Sequence, residues 1–443
     1  MAAVALRLVT LPLAPLADQT EARYAEIARL MLTLGDWVTP HISPDQPFWG
    51  KPPLATWAHA AAMSLFGISA GAARLGSLAW ALAGLGAFAW LLRGTAQRPV
   101  MLVAWWLTPL AFISAGAVMT DATLAACVLA VQAAWWQAVQ AVDAPGRRRA
   151  GRLMAVALAL ALLCKGPAAG VLALLPVALH AAWRRHGGVL ATLLRDPLAW
   201  GLLLVLALPW YVWAEWRSPG FLQYFLLGEH VMRFIQPGWQ GDRYGFAHAQ
   251  PLGAIVVFVL VASAPLSLAA LLRWVWRRGG VVADVRTVLP GDLLALAVCI
   301  VAGPLLLFGA ARNIIWTYAG TALPGVVMLG CAAFGTATLA RPRALGVAAV
   351  LVVLYAAAFG WVVPRLAEGY SDRGLVAAWQ AACPDGGCPL AYAGRPTYSA
   401  QFYTQGALYA RPQPGPGFTV RQRRELHGAS ALACNRARCL VHD

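Results

Sequence analysis

Apolar runs of about 17–25 residues, the length that crosses a bilayer as a helix, recur along this chain between short charged breaks. Reading from break to break predicts spans near 1–17, 72–92, 99–117, 122–141, 153–164, 167–183, 198–214, 252–272, 291–309, 316–339 and 344–363. A membrane β-barrel would alternate apolar and polar positions over segments of about ten residues instead. The pattern therefore predicts an all-α polytopic membrane protein with about eleven transmembrane helices. Residues 18–71 break the rhythm. Apolar positions at helical spacing over 20–34 and 53–66 predict two amphipathic helices on the membrane surface. A loop with five prolines from Pro40 to Pro53 separates them. After residue 364 the stretch "YAGRPTYSAQFYTQGALYARPQPGPG" mixes aromatics with turn residues and predicts a small, loop-rich domain with short strands. Two parts follow: a membrane domain over 1–364, with its first outside loop at 18–71, and a C-terminal domain over 365–443.

Composition agrees, with 60% of residues hydrophobic and 12% charged. The formal charge of +16 would suit nucleic acid, but in a membrane protein excess arginine marks cytoplasmic loops. With the N-terminus in the cytoplasm, fifteen arginines, from Arg93 to Arg343, fall on inside loops against four acids. That bias orients the chain and leaves no charge for nucleic acid to explain. Residues 18–71, 118–121, 215–251, 310–315 and the tail then face outward. Only Arg7 leads the first segment and no A-x-A site precedes Asp18, so the segment reads as a span rather than a cleaved leader. Cys127, Cys164, Cys299 and Cys331 lie in or beside spans, where cysteine behaves as a small hydrophobe. Cys383, Cys388, Cys434 and Cys439 form two C-x4-C pairs in the outward tail. In an oxidising compartment such pairs predict two disulfides, with zinc as the alternative.

Chemistry gathers on the outward face. Asp18, Glu21, Arg23, Glu26, Arg29 and Asp36 crowd together where the first span ends. D-x-x-E before a helix is a capping box; a carboxylate at the membrane surface can also act as a base or bind metal. Of the 34 basic residues other than histidine, two are lysine: Lys51 in "WGKPPL" and Lys165 in "LCKGPA". A compact ammonium can aim at a single phosphate oxygen, whereas arginine offers a fork. Asp121 opens a span in "VMTDATL", as a cap or as a functional acid. In "GEHVMRF", Glu229 and Arg233 share a helical face, with His230 beside them as a candidate metal ligand. Arg312 and Tyr318 flank a short outside loop in "ARNIIWTYAG". An anionic, lipid-linked substrate fits this distribution better than transport does. Transporters place ionisable groups near the midplane of repeated halves, and the span interiors here are nearly free of charge.

"DQTEARYAEIARLMLTLGDWVTP", "FWGKPPLATW", "VMTDATL", "CKGPAAG", "LPWYVW", "GEHVMRF" and "RNIIWTYAGTALP", in that order, resemble the aminoarabinose transferase-like and protein mannosyltransferase-like enzymes. These are multi-span glycosyltransferases of the GT-C type. The resemblance runs from about residue 11 to 330. It implies an inverting transfer of a sugar from a polyprenyl-phosphate donor to lipid A or another envelope glycolipid or glycan, at the periplasmic side of a bacterial inner membrane. Protein as acceptor is the alternative from the same family, and a lipid or polysaccharide transporter without catalysis is the rival class. By motif, Asp18 is the catalytic carboxylate, with Glu21 beside it and Asp121 as a second acid. Arg23, Tyr24, Lys51, Lys165, Arg233, Arg312 and Tyr318 match donor-phosphate positions. Two departures stand out. The family has D-E-x-R-Y where this chain has D-x-x-E-x-R-Y, so Asp18 and Glu21 can exchange roles. Family members also carry a glutamate before the lysine of "KP" that, with the histidine of "EH", can bind a divalent metal; here that position is Gly50. A metal at His230 then draws on Glu229, Asp18 or Glu21, or is absent. No nucleotide is required.

Overall fold

A computed structural model describes residues 2–236, 239–245, 248–277, 279–335, 342–384, 387–409, 417–426 and 430–442. Arg278 and Arg341, both expected on inside loops, lie outside the described residues. Helices occupy the described parts of the predicted spans, but their lengths differ widely. Ala70–Leu91, Asp121–Gln140, Pro197–Arg217, Gly291–Gly309 and Ala344–Glu368 are the five described helices long and apolar enough to cross a membrane. A sixth forms if Ala254–Ala262 and Leu266–Arg277, bent by 106° at the break, count as one. Shorter elements elsewhere have local causes. Pro109 begins a new helix after Arg98–Trp106, dividing the 99–117 segment, because proline fits the first turn but not an interior. The 316–339 segment opens with a tight 3₁₀ stretch, Trp316–Ala322, before Leu323–Ala333. The short predicted 153–164 span is instead the end of a 22-residue helix, Ala144–Lys165.

Sequence-coded caps set several boundaries. Asp143 accepts the Gly146 amide at 3.2 Å, and Asp196 accepts that of Leu198 at 3.2 Å; each precedes a helix with proline in its first turn. Ser69 does the same for Ala72 at 3.2 Å. The capping box predicted at Asp18 and Glu21 does not form: the helix is Thr20–Leu34, its cap position is Gln19, and no side chain caps it.

The Thr20–Leu34 helix was expected on a membrane surface, and it is buried in protein instead. Ala22, Ala25, Ile27, Ala28 and Met31 have no exposed surface. They pack against Leu54–Phe66, Ala70–Leu91 and Tyr398–Tyr403 of the C-terminal part. Its Glu26–Arg29 pair, 2.7 Å apart, is buried as well. The apolar stripe that suggested a lipid contact thus serves an interface within the chain.

The C-terminal part carries a four-stranded sheet ordered Leu390–Tyr392, Phe418–Gln422, Arg438–His442, Ala433–Cys434. The first pair is parallel and the others antiparallel. Leu375, Phe418, Val420 and Leu440 fill its small core. Both expected disulfides are present, Cys383–Cys388 and Cys434–Cys439. The second joins directly opposed residues of the terminal hairpin.

Candidate active site

A polar chamber of about 110 Å³ lies where the first outside segment meets the ends of the spans. Four cations (Arg23, Lys51, Lys165, Arg233) and three acids (Asp121, Glu229, Asp242) line it, with Tyr24 and Tyr318. Lys165 ends its helix, and the following Gly166 has φ +62°. A Cβ there would sit 2.5 Å from the Phe225 ring, so only glycine lets the Gln223–Met232 segment pack this closely against the lysine. Lys165 Nζ stands 3.9 Å from Asp121 Oδ1 and 4.4 Å from the centre of the Tyr318 ring. Asp121 is the first residue of its helix, where a negative charge complements the helix dipole.

On the opposite wall Glu229 is saturated with partners. Lys51 Nζ is 3.2 Å away, Arg233 NH1 is 3.0 Å away, and the Tyr224 hydroxyl donates at 3.1 Å. Burial opposes its ionisation, but Lys51 and Arg233 outweigh burial and bring its pKa down to about 2. Arg233 also reaches Asp242 Oδ2 at 3.2 Å. Arg23 donates to the Tyr244 carbonyl, and Tyr24 packs edge-on against Phe48.

Other expected residues are placed elsewhere. Glu21 receives both arms of Arg74 at 2.8 Å and the Val118 amide at 3.2 Å, and it does not line the chamber. Thr20, one residue earlier, does. Asp18 turns towards the C-terminal part, where it accepts the Ser399 amide at 3.0 Å and the Ser399 hydroxyl. Burial raises its pKa to about 6 against the opposing pull of these hydrogen bonds. The Arg312 side chain is exposed and outside the chamber.

Asp18 instead lines a second space, an outer groove of about 820 Å³ between the membrane domain and the C-terminal part. Arg395, Tyr398, Arg436 and Arg438 form one side of it. The groove and the chamber share Arg23, Asp242, Tyr244 and Gly245. The sequence reading did not single out Asp242 or Tyr244. Their available signal was the charged pair in "GDRYG", flanked by glycines in an outward loop.

The residues present do not fit a divalent metal. His230 has one ring nitrogen 2.7 Å from the Phe225 carbonyl and the other 3.1 Å from that of Lys165, so the ring is turned to main chain and does not line the chamber. Glu229 is taken up by two cations, Gly50 offers no side chain, and no group of three ligating side chains exists among the described residues.

Residues 10–225 match the dolichyl-phosphate-mannose-protein mannosyltransferase family. The undecaprenyl phosphate-alpha-4-amino-4-deoxy-L-arabinose arabinosyl transferase of Erwinia tasmaniensis is 28% identical over 317 residues, covering 70% of this chain and 54% of that protein. The Yersinia pestis protein of the same name is 27% identical over 361 residues, covering 79% and 61%. The chain thus spans little more than half the length of these relatives. The crystal structure of ArnT from Cupriavidus metallidurans bound to undecaprenyl phosphate superposes with a TM-score of 0.78 at 18% identity, over 99% of this chain and 96% of that one. It shares the fold. By the match over residues 10–225 and the common fold, the chain is a multi-pass membrane protein similar to the protein mannosyltransferases and the aminoarabinose transferases.

Proposed function

We propose that this protein transfers a sugar, with inversion, from a polyprenyl-phosphate donor to an envelope acceptor such as lipid A or another glycolipid or glycan. The reaction takes place on the periplasmic side of a bacterial inner membrane, the side opposite the arginine-rich loops. The observation that carries the reading is the convergence of Lys51, Lys165, Arg23 and Arg233 on one small chamber at the ends of apolar helices. Four cations against three acids leave one positive charge, which matches the single negative charge of a phosphodiester. When the anomeric carbon–oxygen bond breaks, the released lipid monophosphate carries up to about two charges. Lys51, Lys165 and Arg233 are already in place to stabilise that increase without reorganising. Asp121 holds Lys165, and Glu229 holds Lys51 and Arg233, so the acids on these two walls orient cations. No step passes through a metal. The relatives' names, and the undecaprenyl phosphate bound to the protein of like fold, support a lipid-linked donor.

The test is to incubate the purified chain in detergent with polyprenyl-phosphate sugars and extracted envelope lipids or proteins, and to measure free polyprenyl phosphate. Release that depends on acceptor, and is lost in Lys51→Met, supports the reading. Binding of the donors without release under any combination of sugar and acceptor argues against it.

A further inference from the structure

The chamber and the outer groove share Arg23, Asp242, Tyr244 and Gly245 in their lining, so a carboxylate among these residues can serve groups held in either space. Of the two spaces, Asp121 and Glu229 line the chamber and not the groove, and each faces a cation there. Asp18 lines only the groove and is bound by Ser399. Glu21 lines neither and is held by Arg74. Thr20, Arg23 and Tyr24, the residues of the Thr20–Leu34 helix that line the chamber, bring no acid. Among the described residues, Asp242 is the one carboxylate lining both spaces.

Its local geometry suits a base. Oδ1 accepts the Tyr244 amide at 3.0 Å, which fixes the carboxylate in its turn. Oδ2 is buried, lies 3.2 Å from Arg233, and has no hydrogen bond aligned on it. Gly245 lies beside it: a Cβ there would come 3.6 Å from Asp242 Oδ2 and 4.0 Å from Arg23 NH1. Gly245 thus lies in ordinary contact range of both charged groups where the two spaces share their lining.

We propose that Asp242 is the catalytic base at the junction of a donor chamber and an acceptor groove, and that the acceptor nucleophile is a hydroxyl. This rests on the transferase reading above. The acceptor enters through the groove, and its hydroxyl oxygen bonds to the anomeric carbon as the carbon–oxygen bond to the lipid phosphate breaks. The hydroxyl proton passes to Asp242 Oδ2. The electron pair of the broken bond leaves on the phosphate, which the chamber cations hold. Arg233 contacts both Glu229 and Asp242, so it joins the leaving-group side to the base.

The experiment compares wild type, Asp242→Asn and Asp242→Glu as full-length protein in detergent. Polyprenyl phosphate release from a turned-over donor is measured alongside equilibrium binding of undecaprenyl phosphate and thermal stability. The expected result for Asp242→Asn is a loss of turnover of about 100-fold or more, with undecaprenyl phosphate affinity within about two-fold of wild type. Asp242→Glu, which keeps the carboxylate, recovers part of the turnover. Equal turnover by wild type and Asp242→Asn overturns the assignment and leaves the transferase reading standing. Parallel losses of phosphate affinity and turnover also overturn it, because they make Asp242 a support for Arg233. Failure of Asp242→Asn to fold while Asp242→Glu folds without turnover has the same consequence. If wild type releases no lipid phosphate from any donor, the transferase reading fails first and the assignment fails with it.

Discussion

Glu21 and Arg74, 53 residues apart, meet as a paired fork: two guanidinium nitrogens each lie 2.8 Å from a different carboxylate oxygen. Arg74 also donates to the carbonyls of Leu11 and Ala14 at 2.6 Å and of Pro15 at 3.1 Å. One buried side chain therefore gathers the end of the first span and the start of the first outside helix.

Removing it leaves a mostly buried carboxylate and three carbonyls without their donor. Arg74→Ala is expected to destabilise the protein by about 3 kcal/mol, the usual cost of breaking a buried pair from one side. Thermal unfolding in detergent measures this. Glu21→Gln should likewise lower the unfolding temperature, and in the protein that remains folded undecaprenyl phosphate affinity should hold within about two-fold. A variant that stays as stable as wild type yet loses affinity would make Glu21 a ligand-binding group.

Lys51 lines the chamber and Arg312 lies exposed outside it. Lys51→Met should weaken undecaprenyl phosphate binding by roughly 10- to 100-fold, the worth of one charge-assisted hydrogen bond. Lys51→Arg should not restore it, because Nζ sits between the Gly50 carbonyl at 2.6 Å and Glu229 at 3.2 Å, a place for a point charge. Arg312→Ala, at an exposed position, should leave affinity within about two-fold. Titration with undecaprenyl phosphate compares the three.

Asp18 makes the contact with the C-terminal part sensitive to pH. Its folded pKa of about 6 lies above the ordinary 3.8, so the folded state holds this proton more tightly than the unfolded chain. The stabilisation is complete below about pH 4 and is lost as pH rises through 6, on the order of 2–3 kcal/mol in all. Hydrogen exchange at Ser399 and at residues 370–373, corrected for intrinsic rates, should show more protection at pH 5 than at pH 7.5. Asp18→Asn, neutral throughout, should remove this dependence. A pH difference that survives the substitution would place the titrating group elsewhere.

Chelation offers a fourth test. With both His230 nitrogens on carbonyls and Glu229 held by cations, EDTA treatment should change neither undecaprenyl phosphate binding nor lipid phosphate release. Elemental analysis of the purified protein should find no stoichiometric metal. A bound equivalent, and loss of binding on its removal, would show that His230 turns from its carbonyls.

Lys51, Lys165, Asp121, Arg23 and Arg233 were legible because a charge placed among apolar residues, or held at the edge of a span, stands out in one dimension. They share the chamber. The capping box offered by Asp18 and Glu21 does not form, and Asp18 lines the outer groove rather than the chamber, because its partner is Ser399, 381 residues away. No local pattern carries such a contact. Glu21 looked like the second half of a cap, while its fork with Arg74 depends on how two helices cross. The apolar stripe of Thr20–Leu34 was read correctly as a stripe. A hydrophobic period says that a face is covered but not whether lipid or protein covers it. Asp242 escaped notice because its distinction is purely spatial, at the boundary of two spaces built from distant segments.

The pairing of Asp18 with Ser399, and of the Asp18 amide with the Tyr370 carbonyl at 2.9 Å, also sets a schedule. A ribosome adding about 5–20 residues per second needs roughly 20–80 s to go from one of these positions to the other. Through that interval the part of the Thr20–Leu34 helix that packs on Tyr398–Tyr403 waits uncovered in the growing chain. The side of the outer groove formed by Arg395, Tyr398, Arg436 and Arg438 is made after the side formed by Asp18 and Arg23. The Cys434–Cys439 bond closes the hairpin that carries Arg436 and Arg438, so two stretches made far apart in time mature as one unit.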